Sequence, residues 1–525
     1  MRIRLFIICR AVFAIAIIAA ATACIFRGVK IAPVAHTSGT TVLSAVKLHL
    51  QDGATVVFAH GIRIDSDTVR GAGHRYGLTE SLASSGSDIF AIPLDSVAAM
   101  ESYTDYVEGG KTAVVTTLAV VGTLAASGAL LKAIFGSCPT IYSDSAGVPA
   151  LEAEGFSYSI SPLVERRDVH RLRAQPDRAG TLSLDVRNEA LETHYINQLE
   201  LLGVTHAKDE FVLPDAGERP LAVGAIVPLA RAVDRAGNDV TTVLADDDSL
   251  VFRSDPKTIG GVTATDFDDW IDLTIPVLPG RDSVVLVFRL RNSLLNTVLL
   301  YDEMLRPQGA RAIDFEGRDL NTIADMVTLG RWYGSRMGLH VSVRWGGEWQ
   351  EVVDVPDAGP IAWRDVAAVI PAPKGDTLRV RLSFVADEWR LGKVSVATRF
   401  RRPVPQRFAP STLVAANTAA DTEALRSVAE TDARYLETTP GQQFTIRFRT
   451  GAAPRDSVRT FLLATDGYYT EWIRGAWVRQ AAGAAPHPFI ASDSTLAETV
   501  RHWSSVAPAF EAAFNRTRIP VRHVP

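Results

Sequence analysis

The feature that most constrains this chain is a long region in which apolar and polar residues alternate with a period of two. In the segment SVVLVFRLRN, Val284, Leu286, Phe288 and Leu290 fall on one face of an extended chain. Similar alternation recurs across 137–405, and charged side chains fill many of the alternate positions. This pattern is typical of antiparallel strands that bury one face. It predicts one or two antiparallel β-sandwiches of the jelly-roll kind.

Turns and changes of composition suggest how this region divides. We predict one β-sandwich over 137–300 and a second over 301–405, followed by a helix and closing strands over 406–480. Within the second sandwich, Leu339 to Val396 is similar to the jelly roll of carbohydrate-binding modules. Thr495 and Glu498 form a capping box, which indicates a helix in the C-terminal tail, 481–525.

A shorter β region precedes the sandwiches. Between 40 and 106, alternating runs are separated by turn signals such as Asp52-Gly53. Asp-Gly between alternating runs is a strong signal for a tight hairpin. Short strands at this spacing predict a small SH3-like or split β-barrel. The predicted fold class is therefore mainly β, with this barrel, an apolar helix, the sandwiches and a C-terminal helix.

The first 24 residues have the pattern of an export signal. Arg2, Arg4 and Arg10 provide a positive end, and AVFAIAIIAA provides an apolar core. The sequence ATAC then places small residues directly before Cys24. This arrangement resembles a bacterial lipobox, which implies that lipid is attached to Cys24 after cleavage. Plain secretion and an uncleaved signal anchor are the alternatives.

A second apolar segment separates the predicted barrel from the sandwiches. The residues from Thr112 to Leu131 carry no charge and are flanked by Lys111 and Lys132. This length just reaches across a hydrocarbon core, and its small residues allow close helix packing in lipid. Against a span, the segment is only modestly apolar and would put two predicted exported domains on opposite sides of a membrane. A membrane helix over 112–135 and a helix packed on a domain are both open.

Composition and motifs exclude several classes of function. In 525 residues the net charge is only −5, which argues against a nucleic-acid-binding surface. The three cysteines do not make a disulfide framework, and Cys138 lacks the charged neighbours of a reactive thiol. The sequence contains no G-x-S-x-G nucleophile elbow and no closely spaced zinc ligands. These absences favour a non-enzymatic role.

Two groups of residues are the candidates for binding sites. Loop aspartates offer the oxygen ligands that calcium prefers, although such residues usually cap turns. They are Asp246, Asp247, Asp248, Asp266, Asp268 and Asp269. A dense set of aromatic residues is suited to stacking on sugar rings, although aromatic residues in strands more often belong to a core. They are Trp332, Tyr333, Trp345, Trp349 and Trp363. No cofactor other than calcium is predicted.

Several motifs resemble an uncharacterised family of bacterial envelope lipoprotein-like proteins. The resemblance is carried by SCPTIYSDSAGVPALEAEGFSYSI, VERRDVHRL and VRNEALETHYINQLELL, with further likeness in GDTLRVRLSF and GYY. A Cys-Pro-x-x-Tyr opening and an NE-x-x-ET-x-Y strand pair are the shared elements, whereas the turn here reads Asp144-Ser145-Ala146-Gly147 in place of Asp-Gly. The resemblance implies a β-rich extracytoplasmic region that follows a short apolar helix. It implies no known activity and no catalytic residue.

The sequence as a whole favours a non-enzymatic cell-envelope lipoprotein whose sandwich modules bind a protein partner or a glycan. We expect it to be extracytoplasmic and anchored in the outer membrane through Cys24, with or without a contribution from 112–131. We expect no nucleic acid partner. One alternative is an extracytoplasmic hydrolase of glycans, which would need two carboxylates facing each other across a cleft. Another is a structural subunit of an envelope complex, which would expose a large apolar patch.

Overall fold

The structure is a computed structural model that describes most of the chain between residues 27 and 514. The described ranges are 27–34, 37–50, 55–58, 60–76, 88–107, 138–145, 148–160, 162–190, 192–246, 250–276, 282–312, 323–372, 377–415, 420–438, 442–451, 457–471 and 490–514. Cys24 and the apolar segment 112–135 lie outside these ranges, so the predictions made for them stay predictions. None of the helices in the described ranges is both long and apolar enough to cross a membrane.

The N-terminal region forms one antiparallel sheet in the order β1-β8-β3-β4-β6-β5-β2, with β7 paired to β6. Its strands are β1 Arg27–Pro33, β2 Thr41–Val42, β3 Ala45–Leu50, β4 Thr55–Phe58, β5 Ile62–Asp65, β6 Thr68–Tyr76, β7 Asp88–Pro93 and β8 Val97–Val107. Alternate residues such as Val46, Leu48 and Phe58 are buried in a core of their own. The unit begins one strand earlier than the predicted range 40–106, because β1 pairs with β8 along its whole length.

The remaining strands follow in three groups. The first group is β9 Thr140–Ser145, β10 Val148–Glu154, β11 Arg166–Arg171, β12 Thr181–Arg187 and β13 Glu192–His206. The second is β14 Glu210–Pro214, β15 Pro220–Val227, β16 Arg231–Asp234, β17 Asp268–Pro276, β18 Ser283–Asn292, β19 Leu339–Trp345, β20 Glu348–Val355, β21 Arg364–Pro371, β22 Thr377–Val385 and β23 Trp389–Arg401. The third is β24 Gln406–Phe408, β25 Pro410–Ala415, β26 Leu436–Thr438, β27 Gln443–Arg449 and β28 Val458–Glu471. These strands confirm the prediction of a mainly β fold.

The first and third groups together make one sandwich. Its sheets have the orders β10-β9-β12-β27-β25 and β11-β28-β13-β24, with β26 paired to β13. Strand β13 pairs with β28 over nearly its full length, although the two lie far apart in sequence. Leu184, Ile196, Phe448 and Phe461 are among the residues that fill the core between the two sheets. We call this unit the outer sandwich.

The second group makes a complete sandwich inserted into the first. Its sheets are β14-β15-β23-β18-β21 and β16-β17-β22-β19-β20. Val284, Leu286, Phe288 and Leu290 lie in the core between them, on the face that the alternation predicts. The chain leaves the outer sandwich after β13 and returns in β24, and these two strands pair with each other. We call this unit the inserted sandwich.

This nesting differs from the predicted domain boundaries. The predicted boundary at residue 300 falls between β18 and β19, which belong to the two facing sheets of the inserted sandwich. The segment 406–471, predicted to be a separate unit, supplies half of the strands of the outer sandwich. Alternation identifies strands locally, but it does not reveal partners hundreds of residues away.

Helices in the described ranges are few, and most of them gather at one place, whereas Thr422–Ser427 packs on the outer sandwich. They are α1 Pro256–Gly260, α2 Leu295–Val298, α3 Ile323–Arg336, α4 Thr422–Ser427 and α5 Asp493–Phe514. A π-helical turn at Leu299–Leu305 and a 3-10 segment at Arg306–Arg311 continue α2, and shorter 3-10 turns lie at Leu94–Ser96 and Pro162–Val164. In α5, Leu496, Val500, Trp503 and Phe510 repeat at helical spacing and are buried against α2 and its continuation. This helical layer covers the junction of the two sandwiches.

Candidate functional site

A cavity of about 140 Å³ lies where the outer sandwich, the inserted sandwich and the helical layer meet. The outer sandwich contributes Cys138, Glu154, Tyr158 and Tyr469, and the helical layer contributes residues that include Asn296, Met304 and Tyr333. Most of the remaining wall is aliphatic. Val164, Leu300 and Leu329 are half-buried and Gly330 is exposed, so this side of the cavity lies nearest to solvent.

Glu154 connects the two sandwiches beside this cavity. It ends β10, and its Oε2 accepts hydrogen bonds from the backbone N–H groups of Ile361 at 2.9 Å and Ala362 at 3.2 Å. The approach is close: a Cβ at Gly359 would lie 2.6 Å from that same oxygen. Gly359 also has a φ of +84°, a conformation that glycine adopts without strain. The loop after β20 is therefore fixed against the outer sandwich by a buried carboxylate.

Two further carboxyl groups, Asp357 and Glu388, are buried behind the cavity wall. We call them the acid pair. Asp357 accepts hydrogen bonds from the Tyr333 hydroxyl at 2.7 Å and from Asn292 Nδ2 at 2.9 Å. Glu388 Oε1 accepts from the Gly338 N–H at 3.3 Å and from Asn296 Nδ2 at 3.4 Å. Neither side chain has a cation as its hydrogen-bonding partner, although the charge of Arg166, which donates to the Asp357 backbone carbonyl at 3.2 Å, lowers the pKa of Asp357.

Burial makes it easier for the acid pair to hold a proton. Burial raises the pKa of Glu388 well above its ordinary value, and the charge of Asp357 and a hydrogen bond between the two carboxyl groups raise it further. Burial also raises the pKa of Asp357, while the hydrogen bonds from Tyr333 and Glu388 act in the opposite direction. Glu388 is therefore the member of the pair that holds a proton more readily, and one proton removes one of the two negative charges.

Asn296 joins the acid pair to the cavity. Its Nδ2 faces the acceptors Asp357, Glu388 and Tyr158, at 3.5, 3.4 and 3.3 Å respectively. Its Oδ1 is buried and has no hydrogen-bonding partner among the described residues. A buried carbonyl without a donor costs roughly 1–3 kcal/mol. Asn296 is a lining residue of the cavity, as is Ser157, whose buried hydroxyl is also without a hydrogen-bonding partner among the described residues.

The thiol of Cys138 lines the cavity but is not an activated nucleophile. Cys138 is buried and forms no disulfide. Burial raises the pKa of its thiol well above the usual value, and the charges of Glu192 and Glu154 raise it further. A thiol needs a lowered pKa to supply thiolate at neutral pH. Cys138 therefore acts as a small packing residue at the start of the outer sandwich.

The carboxyl groups do not form a glycosidase arrangement. The two acids of a glycosidase stand at least about 5 Å apart, so that a sugar or a water fits between them. Asp357 and Glu388 share a hydrogen bond instead. Glu152 and Glu189 are held by other groups: Glu152 accepts from Ser143 Oγ and the Arg173 N–H, and Glu189 accepts from Thr140 and Tyr142.

The predicted aromatic residues do not share one surface. Tyr333 belongs to the cavity, and Trp332 packs against the core of the helical layer. Trp363 lies beside the guanidinium groups of Arg289 and Arg291.

The other two predicted aromatic residues lie on one hairpin of the inserted sandwich. Trp345 is exposed beside its turn, and Trp349 stacks on Arg381, whose guanidinium carbon lies 4.6 Å from the ring centroid. Stacking on sugar rings therefore stays a prediction for Trp345 and Trp349.

The predicted calcium ligands are also separated. Asp247 and Asp248 lie outside the described residues, and Asp246 is exposed near Lys393. Asp266 forms an ion pair with Arg235 at 2.7 Å. Asp268 and Asp269 are neighbours in β17 and point to opposite faces, with Asp269 buried. Among described residues, none of these aspartates belongs to a group of three ligand atoms within 4.8 Å of one another.

Sequence reasoning found Tyr333 but missed Asn296, Asp357 and Glu388. Asp357 lies in the loop after β20, and Glu388 precedes β23, so the two are separated by two strands and their connection. No fixed spacing relates them. The available signal was a carboxylate within an otherwise apolar stretch, as in VADEW, which indicates a buried acid that needs a partner.

Comparisons with known proteins leave the family open. No family model matches the chain, and no curated protein matches it. One similar solved structure is a GH31 alpha-xylosidase from Xanthomonas citri, at 9% identity and a TM-score of 0.16, covering 82% of this chain and 38% of that chain. Another is an uncharacterized protein from Listeria monocytogenes EGD-e, at 8% identity and a TM-score of 0.15, covering 65% of this chain and 30% of that one. The matched regions thus span well under half of those longer chains, and TM-scores this low carry no argument about function.

Proposed function

We propose that this protein is a non-enzymatic cell-envelope protein whose nested sandwiches bind a protein partner. The observation that supports the proposal is the cavity at their junction, which is lined mainly by aliphatic and aromatic residues and includes Asn296, whose buried Oδ1 has no donor among the described residues. Apolar pockets with a few placed polar groups at domain junctions are the usual sites of ligand binding. In this proposal the partner inserts a side chain into the cavity.

The chemistry of the cavity defines the side chain that fits. A dry cavity of about 150 Å³ is known to hold benzene, so this one has room for a single aromatic ring or a branched aliphatic group. Asn296 Oδ1 accepts, so the inserted group should carry a hydroxyl or N–H donor. Glu154 lies in the wall and disfavours an anion. A sugar ring would bury several hydroxyl groups against aliphatic walls at a high cost in free energy, so a glycan fits less well than a tyrosine side chain.

The test uses p-cresol, the analogue of the tyrosine side chain, and two glycines of α3. Gly330 lines the cavity, whereas Gly334 lies about one turn later and is exposed, and a Cβ at either position meets no atom within 4 Å. We expect p-cresol to bind the wild-type chain, as measured by saturation-transfer NMR. Gly330→Phe should weaken binding at least tenfold, while Gly334→Phe should leave it unchanged. Absence of binding to the wild type, or equal effects of the two variants, would refute the cavity as the site.

We also propose that the protein resembles the envelope lipoprotein-like family in its location. In this proposal Cys24 carries lipid, the sandwiches are extracytoplasmic and attached to the outer membrane, and the segment 112–131 associates with the membrane or packs on a domain. Labelling with a radioactive fatty acid tests the anchor, because Cys24→Ala should abolish incorporation. Protease accessibility of tags placed after Tyr106 and at the C-terminus tests the topology. Cleavage of both tags from the same side excludes a membrane span over 112–131.

A second candidate function, a hydrolase of glycans, is favoured only by the acid pair, since buried acids with shifted pKa values cluster at catalytic sites. In that case Glu388→Gln should abolish release of nitrophenol from nitrophenyl glycosides while the variant stays folded. A wild-type chain without such activity removes this candidate. A role as a structural subunit of an envelope complex would instead appear as a stable complex that survives Gly330→Phe.

A further inference from the structure

A separate cluster of ligand atoms lies on the outer face of the inserted sandwich. His340 Nδ1 is 2.6 Å from Asp354 Oδ1 and 3.7 Å from Glu351 Oε2. The three ligand atoms all lie within 4.8 Å of one another. The His340 side chain is largely buried, whereas the two carboxylates are exposed. This cluster belongs to the hairpin of β19 and β20, away from the residues of the cavity.

A β-bulge brings the third side chain to this face. His340 and Asp354 are directly opposite each other in the hairpin, and Val341 is opposite Val353. The register then shifts, so that Ser342 is opposite Glu351 and Val352 is the extra residue. Val352 and Val353 both pack against the core, although they are consecutive. Without the bulge, strand alternation would direct Glu351 toward the core, because it lies three residues from Asp354.

We propose that His340, Glu351 and Asp354 bind a divalent transition-metal ion, with Zn²⁺ as the reference ion. One imidazole nitrogen and two carboxylate oxygens are ligands of the type that zinc takes. Ligands around a tetrahedral zinc ion are roughly 3.3 Å apart, given bonds of about 2.0 Å. The two distances from His340 Nδ1 lie on either side of that value, so small rotations of the exposed carboxylates suffice. The fourth position faces solvent and is filled by water.

The surroundings favour a cation at this place. Asp268 of β17 is near enough to His340 for their charges to interact, which adds a third carboxyl group to the neighbourhood. Two arginines near Asp268 already have carboxylate partners: Arg336 donates to Asp493 through two hydrogen bonds of 2.9 Å, and Arg235 donates to Asp266 at 2.7 Å.

The experiment is titration of the full-length chain with Zn²⁺ by calorimetry, with Co²⁺ absorption as a second readout. We expect one ion per chain at this site and at least a tenfold loss of affinity in His340→Gln and in Asp354→Asn, with a smaller loss in Glu351→Gln. Co²⁺ bound by the wild type should give visible bands that His340→Gln removes. Melting temperatures measured without metal show whether each variant is folded.

The matched control is His502→Gln. His502 Nε2 lies 3.5 Å from Asp302 Oδ2, so this variant also removes a surface histidine that faces a carboxylate. Its zinc affinity should equal that of the wild type. The proposal fails if the wild type binds no Zn²⁺ at 100-fold excess. It also fails if His340→Gln and Asp354→Asn retain wild-type affinity, which would place the bound ion elsewhere.

Discussion

Two groups of acidic residues near the contact between the two sandwiches have their charges reduced in different ways. At the cavity, a proton removes one of the two charges of the acid pair. At the other contact, Arg166 and Asp168 of β11 lie beside Arg364 of β21 and Glu218 of the turn between β14 and β15. We call these four residues the ion cluster. Arg364 contacts both carboxylate oxygens of Glu218, at 2.5 and 2.6 Å, and Arg166 lies 3.2 Å from Asp168.

The acid pair and the ion cluster should therefore differ in how their contributions to stability change with pH and with single substitutions. Burial and the charge of Asp168 raise the pKa of Glu218, while Arg364 lowers it. We take Glu218 to be ionised at neutral pH, because the guanidinium contacts both of its oxygens. Removing one charge from the ion cluster leaves an uncompensated partner, whereas in the acid pair one proton already removes one of the two charges. The comparison teaches that burial of acids at an interface does not by itself indicate a catalytic role.

The largest expected effect is that of Arg364→Met. This variant leaves Glu218 without its guanidinium partner, so we expect it to lower the free energy of unfolding by about 3–5 kcal/mol. Urea denaturation at pH 7 measures the change. Arg219→Met is the matched control, because Arg219 also pairs with a buried aspartate, Asp215, but is itself exposed. The control should lose less than about 1 kcal/mol.

Replacing one glutamate in each group tests how the charge of that group is compensated. Glu218→Gln removes the charge that balances Arg364, and we expect it to cost about 2 kcal/mol at pH 7. Glu388→Gln replaces a protonated carboxyl group by a neutral amide of similar shape, and we expect a cost below about 1 kcal/mol. Both values come from the same denaturation experiment. Equal costs for the two variants would show that Glu388 is ionised and that the comparison is wrong.

The pH dependence of stability should have opposite signs at the two groups. His170 of β11 faces Arg364, and burial together with that cation lowers its pKa to about 3. Between pH 6.5 and 3 the unfolded chain therefore binds a proton at His170 that the folded chain does not. Stability falls as pH falls through this window, by about 1.4 kcal/mol per unit. Glu388 has a raised pKa, so its contribution falls as pH rises above its ordinary value.

Unfolding measured from pH 4 to 8 separates the two contributions. His170→Gln should reduce the fall in the free energy of unfolding as pH decreases. Other histidines and carboxylates still contribute to that fall. Glu388→Gln should remove a decline in stability that begins as pH rises above the ordinary glutamate pKa of 4.5, so it changes the slope in the direction opposite to His170→Gln. If His170→Gln shows the same acid slope as the wild type, the imidazole is not held neutral by the fold. If Glu388→Gln keeps the decline with rising pH, the proton is not held on Glu388.

The fold class was predictable because alternation is a local signal. Val284, Leu286, Phe288 and Leu290 define a buried face without knowledge of any partner strand. The nesting of the sandwiches was not predictable in this way, because β13 pairs with β28 and the whole inserted sandwich lies between these two strands in the sequence. Register and pairing depend on packing between distant segments, and one sequence carries no direct record of that packing.

The residues of the sites were harder to predict from the sequence than the strands. Tyr333 was named as an exposed aromatic residue for sugar stacking, but its hydroxyl donates to Asp357 inside the junction. The cluster of His340, Glu351 and Asp354 depends on one extra residue, Val352, and a strict period of two would have put Glu351 on the other face. Bulges and loop carboxylates are placed by tertiary contacts, so local pattern reading does not find them.

The smallest expected effect concerns the hydroxyl of Tyr333. Tyr333→Phe removes one donor to Asp357 and leaves the hydrogen bond from Asn292, so we expect a cost of about 1 kcal/mol at pH 5. That hydroxyl lowers the pKa of Asp357, so its loss should favour a second proton and increase the cost as pH rises. Tyr435→Phe is the control, because Tyr435 donates to Glu165 at 2.8 Å outside the acid pair. Equal, pH-independent costs for the two variants in urea denaturation at pH 5 and pH 8 would show that the acid pair does not depend on Tyr333.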